Sequence, residues 1–242
     1  MSQIKIRVKI SKTISILTWA IVFVVAMGIL TRLIPVFTPY QTAFGLIALF
    51  DMDSERTIPA YLSALNLGFA ALLLTLITHI KKSLHDAYWL HWLLLSLGFG
   101  YLSIDEAVSL HELLTQIIKD HNPTLSGVPF HYIIAIMGFT VVALLLLFYG
   151  NFLKHLQPQD RLRFTVAGAL FVTGAFGIEA IGGYIVTHLD QLSTDLIYVE
   201  VVIEESMEMF GILLFIRALL IYIKDLAPAT RREISHSATV PV

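Results

Sequence analysis

The sequence predicts an all-α polytopic membrane protein, a bundle of six transmembrane helices with the N- and C-termini in the cytoplasm. The first observation is the composition. Of the 242 residues, 57% are hydrophobic and only 14% are charged, whereas soluble domains carry about 25% charged residues. The mean hydropathy is +0.78. This shortage of charge indicates that lipid, rather than water, surrounds most of the chain.

The second observation is a series of six apolar segments, each long enough to cross a bilayer, which takes about 20 mostly apolar residues. The predicted spans are residues 14–37, 58–79, 87–114, 128–152, 164–188 and 196–223. The chain contains no internal repeat. We therefore predict a single six-helix domain over residues 1–223 and a flexible, polar cytoplasmic tail over residues 224–242.

The third observation is the distribution of lysine and arginine. Both termini, residues 81–82 and residues 154–163 hold most of the basic side chains, and the alternate loops are acidic or mixed. Basic loops stay in the cytoplasm, which predicts a multi-pass protein of a bacterial-type inner (plasma) membrane. Trp19, Trp89 and Trp92 then lie near the cytoplasmic interface, where we expect them to anchor the protein by facing the lipid.

The composition also excludes several functions. The formal net charge of −2 offers no basic face to nucleic acid. The absence of cysteine excludes disulfides, thiolate metal sites and thiol nucleophiles. The expected partners are membrane lipid and, for an enzyme, a lipid-soluble substrate.

Carboxylates gather at one predicted depth, in the outer half of the bilayer. An ionisable group inside a span costs a few kcal/mol, so a chain retains it where it faces the protein interior and binds something. Three predicted spans, the third, fifth and sixth, bring such groups to this depth. The candidate metal ligands are Asp105, Glu106, His111, Glu112, Glu179, Glu204, Glu205 and Glu208.

The candidates on the third span do not share one helical face. Asp105 and Glu112 lie on one stripe but about 10 Å apart along the axis, and Glu106 and His111 lie on opposite flanks of it. Either the helix is broken here, or these residues belong to two separate sites.

Glycines surround Glu179 on the fifth span, at positions 174, 177, 182 and 183. Small residues let membrane helices approach closely. We expect the fifth span to pack tightly against the third or the sixth and to hold Glu179 near their carboxylates.

This pattern predicts that the acidic groups, with His111, bind one or two divalent metals, Fe, Mn or Zn. It resembles in part the plan of di-iron and di-manganese helical bundles, because Glu204 and Glu208 form an i, i+4 pair. The Glu-x-x-His pair of that plan is missing from the predicted spans. Glu204 and Glu205 are the candidate catalytic residues.

Several functions remain open at this point. A redox metal would make a di-iron-like oxidoreductase that acts on a lipid-soluble substrate. A zinc-type metal would make a hydrolase, with a spare glutamate as general base. Chains of acids in membranes also serve proton- or cation-coupled transporters and channel-like proteins. The remaining alternative is a structural or assembly protein whose buried acids are neutralised.

Overall fold

The computed structural model describes residues 9–40, 42–110, 130–188 and 193–237, and over these residues the chain is helical and has no strand. Besides the α-helices, the described residues contain a 3₁₀ turn at Ala43–Gly45 and a π-helical segment at Thr173–Ile178. The α-helices are α1 (Ile10–Phe37), α2 (Leu46–Phe50), α3 (Ile58–Ser83), α4 (Trp89–Val108), α5 (Phe130–His155), α6 (Pro158–Val172), α7 (Glu179–His188) and α8 (Ser193–Ser237). The predicted all-α class is confirmed for this part of the chain.

Five helical stretches within the described residues are long and apolar enough to cross a membrane: Ile10–Pro35, Ile58–Ser83, Gly138–His155, Pro158–Ile185 and Leu196–Leu226. They correspond to five of the six predicted spans. Large apolar side chains also face outward, as on α5, where Leu147 is 81% exposed. An outward apolar surface of this kind is what a lipid environment requires.

The third predicted span, residues 87–114, is not among these five stretches. Asp105 and Glu106 lower the hydropathy of the last two turns of α4, which ends at Val108. Ser109 caps the helix in the left-handed conformation (φ 58°, ψ 47°), and its amide donates to the carbonyl of Asp105 at 2.7 Å. The predicted span is therefore interrupted by a helix end, which was one of the two alternatives that the sequence left open.

Helix α8 is the centre of the bundle. It contacts α1, α3, α6, α7 and the π-helical segment, while α3 and α4 form an antiparallel pair beside it. Met209, Ile212, Ile216 and Leu219 of α8 are fully buried or nearly so. The helix continues to Ser237, beyond the predicted end of the sixth span at residue 223.

The aromatic core lies toward the predicted cytoplasmic end. Trp92 is 1% exposed and packs against the rings of Phe152, Phe164 and Tyr222. The expectation that Trp92 faces lipid was wrong, because these rings from α5, α6 and α8 close over it. Trp19, by contrast, is 70% exposed.

The fifth predicted span, made of α6, the π-helical segment and α7, packs along α8. A Cβ atom at Gly211 of α8 would lie 2.7 Å from the backbone nitrogen of Phe171 and 2.9 Å from its Cα. Only a glycine allows this approach, since backbone atoms cannot move aside as a flexible side chain can. The tight packing expected for the fifth span is confirmed, and its partner is the sixth.

The substitution Gly211→Ala tests this approach. We expect it to destabilise the protein by about 1–3 kcal/mol, because the new methyl group overpacks a backbone contact, and to lower the melting temperature in detergent. Gly168→Ala on α6 is the matched control, since no atom lies within 4 Å of the position of its Cβ. Equal effects of the two substitutions would contradict the close approach.

An ion pair lies at the predicted cytoplasmic end of the bundle, where α3 connects to α4. Lys81 Nζ donates to Asp86 Oδ2 at 2.8 Å, and the Tyr88 amide donates to Asp86 Oδ1 at 2.8 Å. Partial burial acts to raise the pKa of the Asp86 carboxyl. The hydrogen bonds from Lys81 and Tyr88 and the charge of Lys81 outweigh this effect, and the pKa lies below its ordinary value.

Asp86 should therefore make stability depend on pH. Because its pKa is lower in the folded state, its contribution is complete above the unfolded-state pKa and is lost as the pH falls through the folded-state value. We expect Asp86→Asn to lower the melting temperature at neutral pH and to flatten its decline in acid. Asp225→Asn, at an exposed position of α8, is the control and should leave both unchanged. If the melting temperature of Asp86→Asn falls in acid as steeply as that of the wild type, other groups cause the acid sensitivity.

Candidate metal centre

Three carboxylates converge where α7 meets α8. Glu179 is the first residue of α7, and Glu200 and Glu204 are one helical turn apart on α8. One carboxylate oxygen from each lies within 4.8 Å of the other two. Oxygen ligands sit about 2.0–2.6 Å from a divalent ion, so oxygens this close to one another could share one metal ion.

The π-helical segment, Thr173–Ile178, fixes the direction of Glu179. A π-helical turn holds about one residue more than an α-helical turn and so rotates the following residues by roughly 100°. At its end the Glu179 amide donates to the carbonyl of Phe176. Single π-helical turns inside α-helices occur frequently at functional sites, and this one immediately precedes a residue of the cluster.

Two glycines make room for the carboxylates. A Cβ atom at Gly182 of α7 would lie 2.5 Å from Glu200 Oε1, so the Glu200 carboxylate rests against the bare backbone of that residue. A Cβ atom at Gly174 would lie 3.0 Å from the backbone oxygen of Glu204 and 3.2 Å from Glu208 Cγ. The same close packing that joins the two helices thus brings the acidic side chains together.

The three carboxylates interact strongly with one another. Glu200 is buried, and Glu179 and Glu204 are partly buried. Glu204 is hydrogen-bonded to Glu200 and interacts electrostatically with Glu179 and Glu205. Carboxylates at this range repel one another when all are ionised, so the cluster favours a bound cation or protons shared between its carboxyl groups.

A second acidic group lies beside the first. Glu205 interacts electrostatically with Glu106 of α4 and with Asp53 and Glu55 of the connection before α3. Glu208 interacts with members of both groups, namely Glu205 and Glu106 on one side and Glu204 and Glu179 on the other. The acidic residues therefore form two groups linked by Glu208.

The structure distributes the predicted site residues between these groups. Glu179 and Glu204 belong to the three-carboxylate cluster, Glu106 and Glu205 belong to the second group, and Glu208 lies between. Asp105 is partly buried on α4 and is not a member of the cluster. The two candidate catalytic residues, Glu204 and Glu205, fall one in each group.

Two predicted ligands, His111 and Glu112, lie outside the described residues, and their place relative to the cluster stays a prediction.

Glu200 was absent from the predicted ligand set, although it completes the cluster. The signal was present in the sequence, because Glu200 precedes Glu204 by four residues and therefore shares its face of the helix. The Glu200 carboxylate is positioned by its contact with Gly182, and a tertiary contact of this kind cannot be read from the sequence.

Gly182→Ala tests how the cluster is assembled. The added methyl group must displace the Glu200 carboxylate, which is the end of a flexible side chain, so the fold should survive. If the cluster holds a divalent metal, we expect its affinity, measured with Mn²⁺, to fall by about tenfold, as it does when support of a metal ligand is lost, with little change in melting temperature. Gly98→Ala, which meets no atom within 4 Å, should bind as the wild type does. Unchanged metal affinity in Gly182→Ala would show that Glu200 is not a metal ligand.

Comparison with known proteins places the chain in a family but names no activity. A family model with the description "Domain of unknown function (DUF8692)" matches residues 15–223. No curated protein and no solved structure matches the chain. The match covers most of the sequence, from α1 into α8, and includes the three carboxylates. The chain therefore belongs to the family described as Domain of unknown function (DUF8692).

Proposed function

We propose that the chain is an integral membrane protein that binds a divalent metal on Glu179, Glu200 and Glu204 and uses it as a membrane enzyme. The convergence of these three carboxylates is the observation that carries the proposal. They come from two helices inside stretches apolar enough to cross a membrane. Ionised carboxyl groups cost free energy in such apolar surroundings, and a bound cation would offset the repulsion between them.

The donor set favours a hard metal ion. Carboxylate oxygens suit Mn²⁺, Mg²⁺ and Ca²⁺, and imidazole suits Zn²⁺ and Fe. Among the described residues, the cluster consists of carboxylates alone. Of the metals expected from the sequence, Fe, Mn and Zn, this set favours Mn²⁺. Iron remains the alternative, because carboxylate-rich helical bundles hold di-iron pairs.

The proposed topology has six spans, with residues 87–114 as the third and both termini in the cytoplasm of a bacterial-type inner membrane. The distribution of lysine and arginine supports this orientation. The cluster then lies in the outer half of the bilayer, and a substrate that reaches it from the membrane must be lipid-soluble.

Two enzyme chemistries fit this site. A redox metal would pass electrons from a lipid-soluble substrate to an external oxidant such as O₂, which would be reduced as the substrate is oxidised. A Lewis-acid metal would activate water for hydrolysis, with Glu205, outside the three-carboxylate cluster, as the general base. The carboxylate donor set favours the first of these chemistries, in which Glu204 would be a ligand of the redox metal.

Cation transport is the second candidate function, and the second acidic group favours it. Glu208 links the cluster to Glu205 and Glu106, and Glu205 in turn interacts with Asp53 and Glu55 in the connection before α3. Acids therefore extend from the cluster to a polar connection between helices. Series of acidic side chains of this kind form ion and proton pathways in membrane proteins.

Metal analysis of the purified, detergent-solubilised protein tests the proposal. We expect the wild type to bind Mn²⁺ stoichiometrically by electron paramagnetic resonance titration. Glu200→Gln and Glu204→Gln each remove a ligand and should weaken binding by at least about tenfold, since even outer-shell changes cost 10–100-fold. Asp53→Asn lies in the other acidic group and should bind as the wild type does.

The same variants separate the two functions. Mn²⁺ uptake into proteoliposomes that fails in both Glu204→Gln and Asp53→Asn would indicate transport. Tight Mn²⁺ binding without uptake would support the enzyme. A folded wild type that binds neither Mn²⁺ nor Fe²⁺ would leave the acids with a structural role and overturn the proposal.

A further inference from the structure

A groove of about 600 Å³ runs between the beginning of α1 and the inner half of α8. It lies away from the carboxylates, because Arg217 is 13 residues from Glu204 on α8, or about 20 Å along the helix. The groove is lined by Ile10, Ser11, Ile14, Ser15, Thr18, Trp19, Arg217 and Ile221.

Arg217 is the charged group of this groove. Its side chain is exposed, although it lies within the apolar stretch Leu196–Leu226. No described acidic side chain forms an ion pair with it. A cation within a span is costly unless it is paired or reaches the headgroup region, so this side chain requires an anion or the interface.

Hydroxyl groups face Arg217 from α1. Ser11, Ser15 and Thr18 are spaced four and three residues apart, so they share one face of the helix, and all three line the groove. Helix α1 begins at Ile10, and no side chain caps it at Lys9. Its first-turn amides and the positive end of its dipole therefore add to the attraction for an anion.

The remaining wall of the groove is apolar. Trp19 is 70% exposed, and Ile14 and Ile221 extend the apolar surface. The hydroxyl of Thr18 donates to the carbonyl of Ile14, so the groove combines one cation and the hydroxyl donors of Ser11 and Ser15 with a surface suited to a hydrocarbon chain. Ser11 lies at the start of α1 and of the candidate span Ile10–Pro35, where this helix would meet the lipid headgroups.

We infer that this groove binds an anionic phospholipid. Arg217 and the hydroxyls of Ser11 and Ser15 hold the phosphate, and an acyl chain lies against Trp19. Basic pockets between membrane helices bind anionic headgroups in this way. The isoleucines and the tryptophan favour a lipid over free phosphate, because free phosphate would leave the apolar wall uncovered.

Trp19 provides a direct readout. The protein with Trp89→Phe keeps Trp19 as its exposed tryptophan, because Trp92 is buried and the chain has no other. This protein is reconstituted into phosphatidylcholine vesicles that contain a minor fraction of lipid with brominated acyl chains, which quench tryptophan on contact. We expect brominated phosphatidylglycerol to quench Trp19 more strongly than the same fraction of brominated phosphatidylcholine.

Arg217→Gln should reduce this preference by roughly fivefold, which corresponds to one basic side chain near a membrane surface. Arg217→Lys keeps the charge and should retain part of the preference, and it serves if Arg217→Gln fails to fold. Lys154→Gln, which removes an exposed charge at the end of α5, is the matched control and should leave the preference intact.

Three results would overturn the inference. Equal quenching by the two brominated lipids in the parent protein would show that the groove does not select an anionic lipid. An equal loss in Lys154→Gln and Arg217→Gln would assign the preference to the net charge of this end of the molecule. Suppression of the preference by inorganic phosphate at constant ionic strength would make free phosphate the ligand, and that result also contradicts the inference.

Discussion

The close packing of the fifth predicted span against α8 is the constraint on which the rest of the structure depends. Glycines occupy the contact on both sides, at Gly174 and Gly182 and at Gly211. In lipid, apolar side chains gain little from association, so membrane helices associate by packing that small residues permit. Here Gly211 and Gly174 let the backbones approach, and Gly182 in the same contact leaves the space that the Glu200 carboxylate occupies. The same helix contact therefore packs the two helices and positions the carboxylates of the site.

Helix α8 connects two chemically different ends of the molecule. Toward its beginning it carries the glutamates, and toward its end it carries Arg217 and the ring of Tyr222, which packs in the aromatic core. Between them lie fully buried apolar residues such as Ile212 and Ile216. This apolar middle separates the acids from the basic end, so the acids cannot be neutralised by Arg217.

Much of the fold follows from periodicity and composition, because apolar length is a local property that the sequence displays directly. The glycines around Glu179 likewise predicted a tight helix contact. A break in the third predicted span was one alternative at the sequence level, but its place after Val108 was not predictable. The π-helical segment was not predictable either, since both depend on backbone conformations that no local pattern dictates. The burial of Trp92 also depends on tertiary structure, because rings from three other helices cover it. Glu200 could have been included from its spacing to Glu204.

The most direct test of the account is the position of a metal in an experimental structure of the protein prepared with Mn²⁺. Anomalous scattering at the manganese edge locates the ion independently of the surrounding density. We expect a peak about 2.0–2.6 Å from one oxygen each of Glu179, Glu200 and Glu204. A structure in which these carboxylates point apart, or in which manganese binds only elsewhere, would contradict it.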